Sequence, residues 1–266
     1  MNKDREHYCR VIAIGNNKGG VGKTITAVSL ASGLYNEGKR VLLIDVDPQG
    51  NSTIASGLDA DGLDVSLATV MGHIINDQEF ESDYGIIKTN AGYDLMPGNI
   101  ELSEMEVLLV NTMARERVIK RYVTKVECNY DYILFDCGPS LGLLTTNAFA
   151  ASDSVLIPVQ ASYMPVKGLE KLVSHIMRVK RHINPELQIE GILITLLDSR
   201  CNFGKAINQF ILDAYGNDVK IFSKPIPRAT KADESTGEGK SIFEYDPKGK
   251  VSEAYRALVK EVIAHE

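Results

Sequence analysis

The fold of this chain is decided by residues 11–24, VIAIGNNKGGVGKT, which lead directly into a segment with helical spacing of apolar residues. Residues 11–14 are all apolar and predict a buried strand. The glycine-rich residues that follow predict a tight loop, because glycine adopts positive φ values and lets a ligand approach the backbone closely. A strand, such a loop and a helix N-terminus aim backbone N–H groups at one point. The stretch therefore predicts a phosphate-binding loop, with Lys23 at the β- and γ-phosphates and Thr24 at Mg²⁺.

Further apolar runs alternate with helical segments along the rest of the chain. The runs lie at residues 41–44, 132–135, 155–157 and 192–194, and the helical segments at 23–36, 100–125, 166–183, 204–214 and 251–264. Each run is continuous rather than alternating, so both faces of each strand should be covered. This pattern predicts an α/β fold with a doubly wound, mostly parallel sheet flanked by helices. We expect one domain over residues 1–266, with residues 1–9 as a short N-terminal extension.

Composition excludes several classes of protein. The chain has 266 residues, 44% of them hydrophobic, which is enough for a large core. No apolar run approaches the roughly 18–20 residues that span a bilayer. The cysteines at positions 9, 128, 137 and 201 are widely separated. They indicate reduced thiols in a cytosolic protein rather than a disulfide or zinc framework.

Charge is distributed unevenly along the chain, although the net charge is only −6. Residues 45–110 contain thirteen acidic residues and one basic residue, a net of −12. Residues 164–231 contain eleven basic and six acidic residues, a net of +5. A basic region of this kind suits contact with nucleic acid. On charge counts alone, however, lysines on solvated helices are the better explanation.

Carboxylates follow two of the predicted strands. Asp45 and Asp47 end the run at 41–44, and Asp136 ends the run at 132–135. An aspartate that closes a buried strand beside a phosphate loop is suited to hold Mg²⁺ or its waters, and we assign this role to Asp136. Asp45 is expected to support the metal shell. The alternative for Asp47 and the proline after it is a simple strand-ending turn.

Residues 18–24, KGGVGKT, resemble the deviant Walker A motif of the ParA/MinD ATPases, a family of P-loop NTPases. Segments at 96–102, 197–200, 226–228 and 241–248 also resemble the family, and the likeness runs from about residue 11 to about residue 262, closest to its Soj/ParA branch. In that family an additional lysine, here Lys18, contacts the phosphates of the opposite subunit in a nucleotide-sandwich dimer. Asp47 matches the aspartate that positions the attacking water.

The resemblance implies a Mg²⁺-dependent ATPase, weak unless stimulated, that binds ATP and forms a homodimer on doing so. The implied catalytic residues are Lys18, Lys23 and Asp47, and the implied metal site is Thr24, Asp45 and Asp136. The implied nucleotide-binding residues are Lys18, Gly19, Gly20, Val21, Gly22, Lys23, Thr24, Ile226, Pro227 and Arg228.

The resemblance also implies DNA segregation, through non-specific DNA and a ParB-like centromere-binding protein. Localisation is then cytoplasmic and nucleoid-associated. The DNA-binding candidates are Arg200, Lys205, Arg228, Lys231 and Lys240, with Lys167, Lys171, Arg178 and Arg181 as weaker ones. Such contacts would neutralise phosphates without reading sequence.

Four positions depart from the family's pattern: Ile25 replaces a second threonine, Gly138 replaces a proline, Ala229 replaces an asparagine expected near adenine, and Cys201 replaces a threonine. Asn17 stands where the strict phosphate-loop motif, rather than the family's, has glycine.

Two other functions remain open. A MinD-like positioning protein would act at a membrane or envelope assembly, although residues 251–266 lack the basic excess of a membrane anchor. A synthetase-like P-loop enzyme, similar to dethiobiotin synthetase, would transfer phosphate to a small molecule.

Overall fold

The computed structural model describes residues 8–161, 166–198, 209, 211, 213, 215–216 and 219–265. Seven strands in this part of the chain form one sheet, in the order β3-β4-β2-β5-β1-β6-β7. The strands are β1 (Arg10–Ile14), β2 (Val41–Asp45), β3 (Ile87–Lys88), β4 (Asp94–Met96), β5 (Tyr132–Asp136), β6 (Ser154–Gln160) and β7 (Gln188–Thr195). All neighbouring pairs are parallel except β3 and β4. The predicted doubly wound, mostly parallel sheet is confirmed.

Helices cover both faces of the sheet. They are α1 (Lys23–Asn36), α2 (Asn51–Ala55), α3 (Leu67–Ile75), α4 (Glu101–Leu109), α5 (Val118–Val126), α6 (Leu143–Ala151), α7 (Val166–His182), α8 (Thr230–Gly237), α9 (Ile242–Tyr245) and α10 (Lys250–Ile263). One apolar core lies between the sheet and α3 to α7. A second lies between the opposite face and α1, α9 and α10. This two-sided burial explains why the central strands are continuous apolar runs.

Strand register sets the position of the acidic residues. In the ladder of β2, β5 and β1, Asp45 pairs with Asp136, and Asp136 pairs with Ile14. Ile14 is the last residue of β1, so the glycine-rich loop starts at the level of both carboxylates. The carboxyl ends of three adjacent parallel strands therefore form one edge, which is where ligands bind in sheets of this kind.

The helix predicted over residues 100–125 is wrong. The structure has two helices there, α4 and α5, separated by an eight-residue turn at 110–117. Ala114 in that turn has φ 50°, a left-handed conformation that keeps the backbone between α4 and α5 from being helical throughout. The turn contains neither proline nor glycine, so the apolar spacing continued across it in the sequence.

The two strands β3 and β4 were also not predicted, because they contain only two and three residues. Most of the helix predicted at 204–214 lies outside the described residues. Among the residues that are described, no helix combines the length and the apolar character that crossing a membrane requires.

Candidate nucleotide-binding site

Residues of β6 and β7 hold the inner side of the glycine-rich loop. The side-chain amide of Asn16 donates to the Pro158 carbonyl at 2.6 Å, and its Oδ1 accepts from the Lys18 backbone at 3.0 Å. The Thr195 hydroxyl, at the end of β7, donates to the Val21 carbonyl at 2.7 Å. These hydrogen bonds pair polar groups on the inner side of the loop with β6 and β7. Its outward face remains available for a ligand.

Two glycines give this loop its shape. Gly20 has φ 68° and Gly22 has φ 84°, in the left-handed region that residues with a side chain rarely adopt. A Cβ at Gly19 or at Gly20 would have no other atom within 4 Å, so open space lies beside the backbone. Gly22 is followed by α1, which begins at Lys23. The loop thus presents exposed backbone at a helix N-terminus, the arrangement that favours an anion.

Lys23 is buried at the floor of the loop. Its ammonium donates to the Lys18 carbonyl at 2.9 Å, and the residue is 7% exposed. Burial lowers the pKa of Lys23, and the nearby Asp136 carboxylate partly opposes that effect. Because the Lys23 ammonium is poorly solvated, an anionic ligand bound beside it would stabilise its charged form.

Asp136 lies at the centre of the site. Its Oδ2 accepts from the Thr24 hydroxyl at 2.8 Å and from the Ser52 hydroxyl at 2.6 Å. Its Oδ1 is buried and has no hydrogen-bond partner among the described residues. Burial raises the pKa of Asp136 to about 6, although both hydroxyls oppose the shift. Unsatisfied buried carboxylate oxygens are costly, so Oδ1 is a natural position for a ligand.

Asp45 faces a different set of groups. Its Oδ2 accepts from the backbone and the hydroxyl of Thr53, at 2.8 and 2.9 Å, and its Oδ1 accepts from the Asp47 backbone at 3.1 Å. Burial, followed by the Asp136 charge, raises the pKa of Asp45 to about 7. Asp45 therefore fastens α2 to the end of β2. Its predicted part in the metal shell remains a prediction.

Asp47 lines the cleft that opens beside the loop. Its Oδ1 accepts from the Gln49 backbone at 3.0 Å, and the residue is 6% exposed. A Cβ at Gly138 would lie 3.3 Å from both Cγ and Oδ1 of Asp47. The glycine that departs from the family pattern therefore leaves room for the Asp47 carboxylate.

The cleft has a volume of about 570 Å³ and is bounded by the loop, by α2 and by α8. Ile226 and Pro227, two of the three nucleotide-binding residues predicted at 226–228, line it, together with Thr236 and Tyr255. The third, Arg228, is exposed, and its backbone N–H donates to the Leu197 carbonyl at 3.1 Å. The structure thus brings the predicted loop and two of the three residues predicted at 226–228 to one cleft.

Lys18 lies against α7. A Cβ at Gly168, in the first turn of that helix, would be 3.5 Å from Lys18 Cε and 3.7 Å from its Cδ. The side chain of Lys18 therefore follows the surface of its own subunit here and is partly buried.

The predicted DNA contacts are only partly described. Arg200, Lys205 and the side chain of Lys167 lie outside the described residues. Lys231 forms an ion pair with Asp246 at 3.0 Å, and Lys240 forms one with Glu238 at 2.8 Å. Lys171, Arg178 and Arg181 on α7 are exposed, as is Arg228. These assignments remain predictions.

Sequence reasoning missed three hydroxyl residues of the site: Ser52, Thr53 and Thr195. Each makes its contact with a residue at least eight positions away in the chain. Asn51, the first residue of α2, follows Gly50, which has φ 61°. The feature that could have revealed Ser52 and Thr53 was a short helix beginning after Gly50. Such a helix directs both side chains back toward the strand ends.

The residues present fit a nucleotide with magnesium. Among the described residues, no three histidine, cysteine, aspartate or glutamate side chains are grouped as metal ligands. Mg²⁺ does not need such a cage, because proteins bind it through one or two side chains, phosphate oxygens and waters. Thr24 and the unpaired Oδ1 of Asp136 would supply the protein's share, and the open loop would cradle the phosphates.

A phosphate loop after an interior strand of a mostly parallel sheet, with a buried aspartate hydrogen-bonded to the loop's threonine, defines a P-loop nucleotide-binding protein. A family model described as an AAA domain matches residues 9–189. The chain is 45% identical to the sporulation initiation inhibitor protein Soj of Bacillus subtilis, over 96% of this chain and 99% of that protein. It is 40% identical to the chromosome partitioning protein ParA of Myxococcus xanthus, over 96% and 88%. The chain belongs to the ParA/Soj family of P-loop ATPases.

Solved structures share the same fold. A structure named cobyrinic acid a,c-diamide synthase, from Mycobacterium smegmatis with a bound ATP analogue and magnesium, superposes with a TM-score of 0.85. Its sequence is 33% identical, and the alignment covers 97% of this chain and 96% of that one.

Proposed function

We propose that this protein is an ATP-dependent partition ATPase that dimerises on binding ATP, binds DNA non-specifically as the dimer, and is released by partner-stimulated hydrolysis. The observation that carries the proposal is the 45% identity to Soj over nearly the full length of both chains. The site supports it, because Lys18, Lys23, Thr24, Asp47 and Asp136 occur together with the geometry described above.

The nucleotide is proposed to lie along the loop and into the cleft. Backbone N–H groups of residues 19–24 would hold the phosphates, assisted by Lys23. Thr24 and Asp136 would hold Mg²⁺, which neutralises developing charge on the phosphates when bound. Ile226 and Pro227 would border the base. A solved structure of the same fold, 33% identical to this chain, holds an ATP analogue and magnesium.

Two residues are proposed to act on the reaction itself. Asp47 lines the cleft, held by the Gln49 backbone, where it would accept a hydrogen bond from the attacking water. Lys18 would leave the surface of α7 and reach the phosphates of a second protomer. A cation placed there stabilises the charge that develops in phosphoryl transfer, as an arginine finger does.

Dimerisation then provides the switch. Each protomer offers a modest basic surface on α7 and around Arg228, and pairing two of them raises the avidity for DNA. Binding of this kind depends strongly on salt and is independent of sequence. We propose a ParB-like centromere-binding protein as the partner that triggers hydrolysis, and a cytoplasmic, nucleoid-associated location.

Oligomeric state tests the mechanism directly. We expect wild type to become dimeric with Mg²⁺ and ATP in analytical ultracentrifugation, Lys18→Ala to remain monomeric, and Asp47→Ala to remain dimeric after ATP is added. DNA binding measured with and without ATP is the companion experiment. Monomers under every nucleotide condition, or equal affinity for DNA in both states, would contradict the proposal.

The burial of α10 argues against the MinD-like alternative. Four large apolar side chains of α10, Val251, Tyr255, Leu258 and Val262, are at most 3% exposed and pack in the core beside α1. A membrane-binding helix has to present its apolar face to lipid. Binding to anionic vesicles without binding to DNA would nevertheless favour that function.

The synthase named for the Mycobacterium smegmatis structure suggests a second candidate, a small-molecule enzyme. ATP turnover that requires a small carboxylic acid, and that does not respond to DNA, would favour it.

A further inference from the structure

The backbone N–H of Gly138 is a hydrogen-bond donor that proline, the residue of the family pattern at this position, does not have. Gly138 comes two residues after Asp136, the last residue of β5, and it is buried. Among the described residues, no backbone hydrogen bond uses this N–H. Buried backbone donors are almost always paired, because an unpaired one costs about as much free energy as a lost hydrogen bond. The Gly138 N–H is therefore suited to serve a ligand.

Neighbouring hydrogen bonds indicate the side of β5 on which this donor lies. The carbonyl at the end of β5 accepts from the Val46 backbone, just beyond β2, and the Cys137 N–H donates to the Ile14 carbonyl of β1. Backbone groups of successive residues in an inner strand point alternately to its two neighbours. Gly138 is the next residue in this alternation, so its N–H belongs to the β2 side, where Asp47 follows Val46.

Asp47 is close to Gly138 but already has donors of its own. A Cβ on Gly138 would be 3.3 Å from Cγ and Oδ1 of Asp47 and 3.7 Å from its Cα. Asp47 Oδ1 accepts from the Gln49 backbone at 3.0 Å, and Oδ2 accepts from the Asn51 side chain at 3.5 Å. The acceptor of the Gly138 N–H is therefore sought in the ligand rather than in this carboxylate.

The surroundings indicate which part of a nucleotide lies nearest. Pro139, the residue after Gly138, lines the cleft together with Gly19, Lys23 and Asp47. Gly138 thus lies between the proposed Mg²⁺ ligand, two residues earlier in the chain, and the residue proposed to hold the attacking water. In ATP the group that adjoins both the metal and the water is the terminal phosphate.

We propose that the Gly138 N–H donates a hydrogen bond to an oxygen of the terminal phosphate of ATP. The inference rests on the proposed function, because it requires ATP in the cleft. A hydrogen bond to an anionic oxygen is stronger than one between neutral groups, so the bond favours ATP over ADP. A fixed donor at this position also stabilises negative charge that develops on the phosphate during transfer.

Two substitutions separate the N–H from the effect of an added side chain. Gly138→Pro removes the donor, whereas Gly138→Ala keeps it and also places a Cβ beside Asp47. Calorimetry with Mg²⁺ and either ADP or a non-hydrolysable ATP analogue gives both affinities. Gly138→Pro should bind the analogue about 10- to 100-fold more weakly, the loss expected for a hydrogen bond to a charged group, with ADP affinity unchanged. Gly138→Ala should keep the wild-type ratio of the two affinities.

Binding is the readout because both substitutions crowd the Asp47 carboxylate and would disturb hydrolysis for that reason alone. Lys18→Ala, included in every sample, removes the proposed contact between protomers from the measured affinities. Asp47→Ala supplies the remaining control, and Gly138→Pro should weaken the analogue equally in its background. Disappearance of the effect there would assign the N–H to Asp47 and overturn the proposal. An equal affinity ratio for Gly138→Pro and Gly138→Ala would overturn it as well.

A measurement on the wild-type chain does not depend on how any variant folds. The chain has 22 glycines, so ¹⁵N-glycine labelling gives a simple amide spectrum in which the Gly138 signal is the one missing from Gly138→Ala. The analogue should move the Gly138 amide proton downfield and slow its exchange with solvent, and ADP should do neither. Tight binding of the analogue with an unperturbed Gly138 signal would overturn this inference alone. A wild type that bound neither nucleotide would instead reject the proposed function.

Discussion

Arg10 and Glu190 form a buried ion pair at the end of the sheet opposite the phosphate loop. Arg10 Nη2 donates to both carboxylate oxygens of Glu190, at 2.8 and 2.6 Å, and its Nη1 donates to the Val262 carbonyl at 2.7 Å. The Ser154 hydroxyl also donates to Glu190, at 2.7 Å. The side chains of Arg10 and Glu190 are only 13% and 3% exposed. The pair thus joins β1 and β7 and ties both to the end of α10.

Replacing Arg10 by methionine keeps a side chain of similar length and leaves the Glu190 carboxylate buried without its cation. Removing one member of a buried pair costs about 3–5 kcal/mol. For domains of roughly this size, about 2–4 °C of melting temperature is lost per kcal/mol, so the melting temperature should fall by about 6–20 °C. Affinity for ATP should not change, because Arg10 and the loop lie at opposite ends of β1.

The assay is denaturant and thermal unfolding followed by circular dichroism, with ATP affinity measured on the same samples. Arg40→Met is the matched control: Arg40 pairs with Asp131 at 2.8 Å, but their side chains are 50% and 30% exposed. Such a surface pair contributes about 0–1 kcal/mol. Combining Arg10→Met with Glu190→Leu should restore most of the stability, because no unpaired charge remains. Equal losses for Arg10→Met and Arg40→Met would refute the reasoning.

Three further predictions concern the core and the site. Gly33→Ala should destabilise the protein by about 1–3 kcal/mol in denaturant unfolding, because the new Cβ would overlap Val259 of α10. Thr195→Val, which removes the hydrogen bond to the phosphate loop, should cost about 1 kcal/mol of stability and weaken ATP binding in calorimetry. Burial raises the pKa values of Asp45 and Asp136 to about 7 and about 6, so the folded state holds their protons more tightly than the unfolded state. The free energy of unfolding without nucleotide should therefore fall as pH rises from about 5 to about 7, and Asp136→Asn should flatten that slope.

Much of the fold was predictable from local sequence. Helix α1 has the predicted bounds, and the five predicted strands are all present, each extended by one or more residues. Helix α1 is long, and the strands are continuous apolar runs because both of their faces are buried. The turn at 110–117 was not predictable in the same way, because Ala114 is an unusual residue for a left-handed conformation.

The candidate site was likewise predictable only in part. The loop, Lys23 and the three aspartates could be predicted as site residues from sequence, because the glycines and the strand-ending acids are adjacent in the chain to the runs that position them. Ser52 and Thr195 were not identified. Ser52 acquires its role only when β2 is placed beside β5, and Thr195 only when β7 is brought near the loop that follows β1, two strands away in the sheet.

The sequence by itself determined the class of fold and the chemistry of the phosphate loop, since both depend on neighbouring residues and on the fixed geometry of strand, loop and helix. The tertiary structure alone decided that Asp136 has one satisfied and one unsatisfied oxygen, that Asp45 is turned toward Thr53, and that α4 keeps an apolar side exposed. Burial and hydrogen bonding of a polar group depend on all the segments that pack around it, and those segments are brought together only by folding.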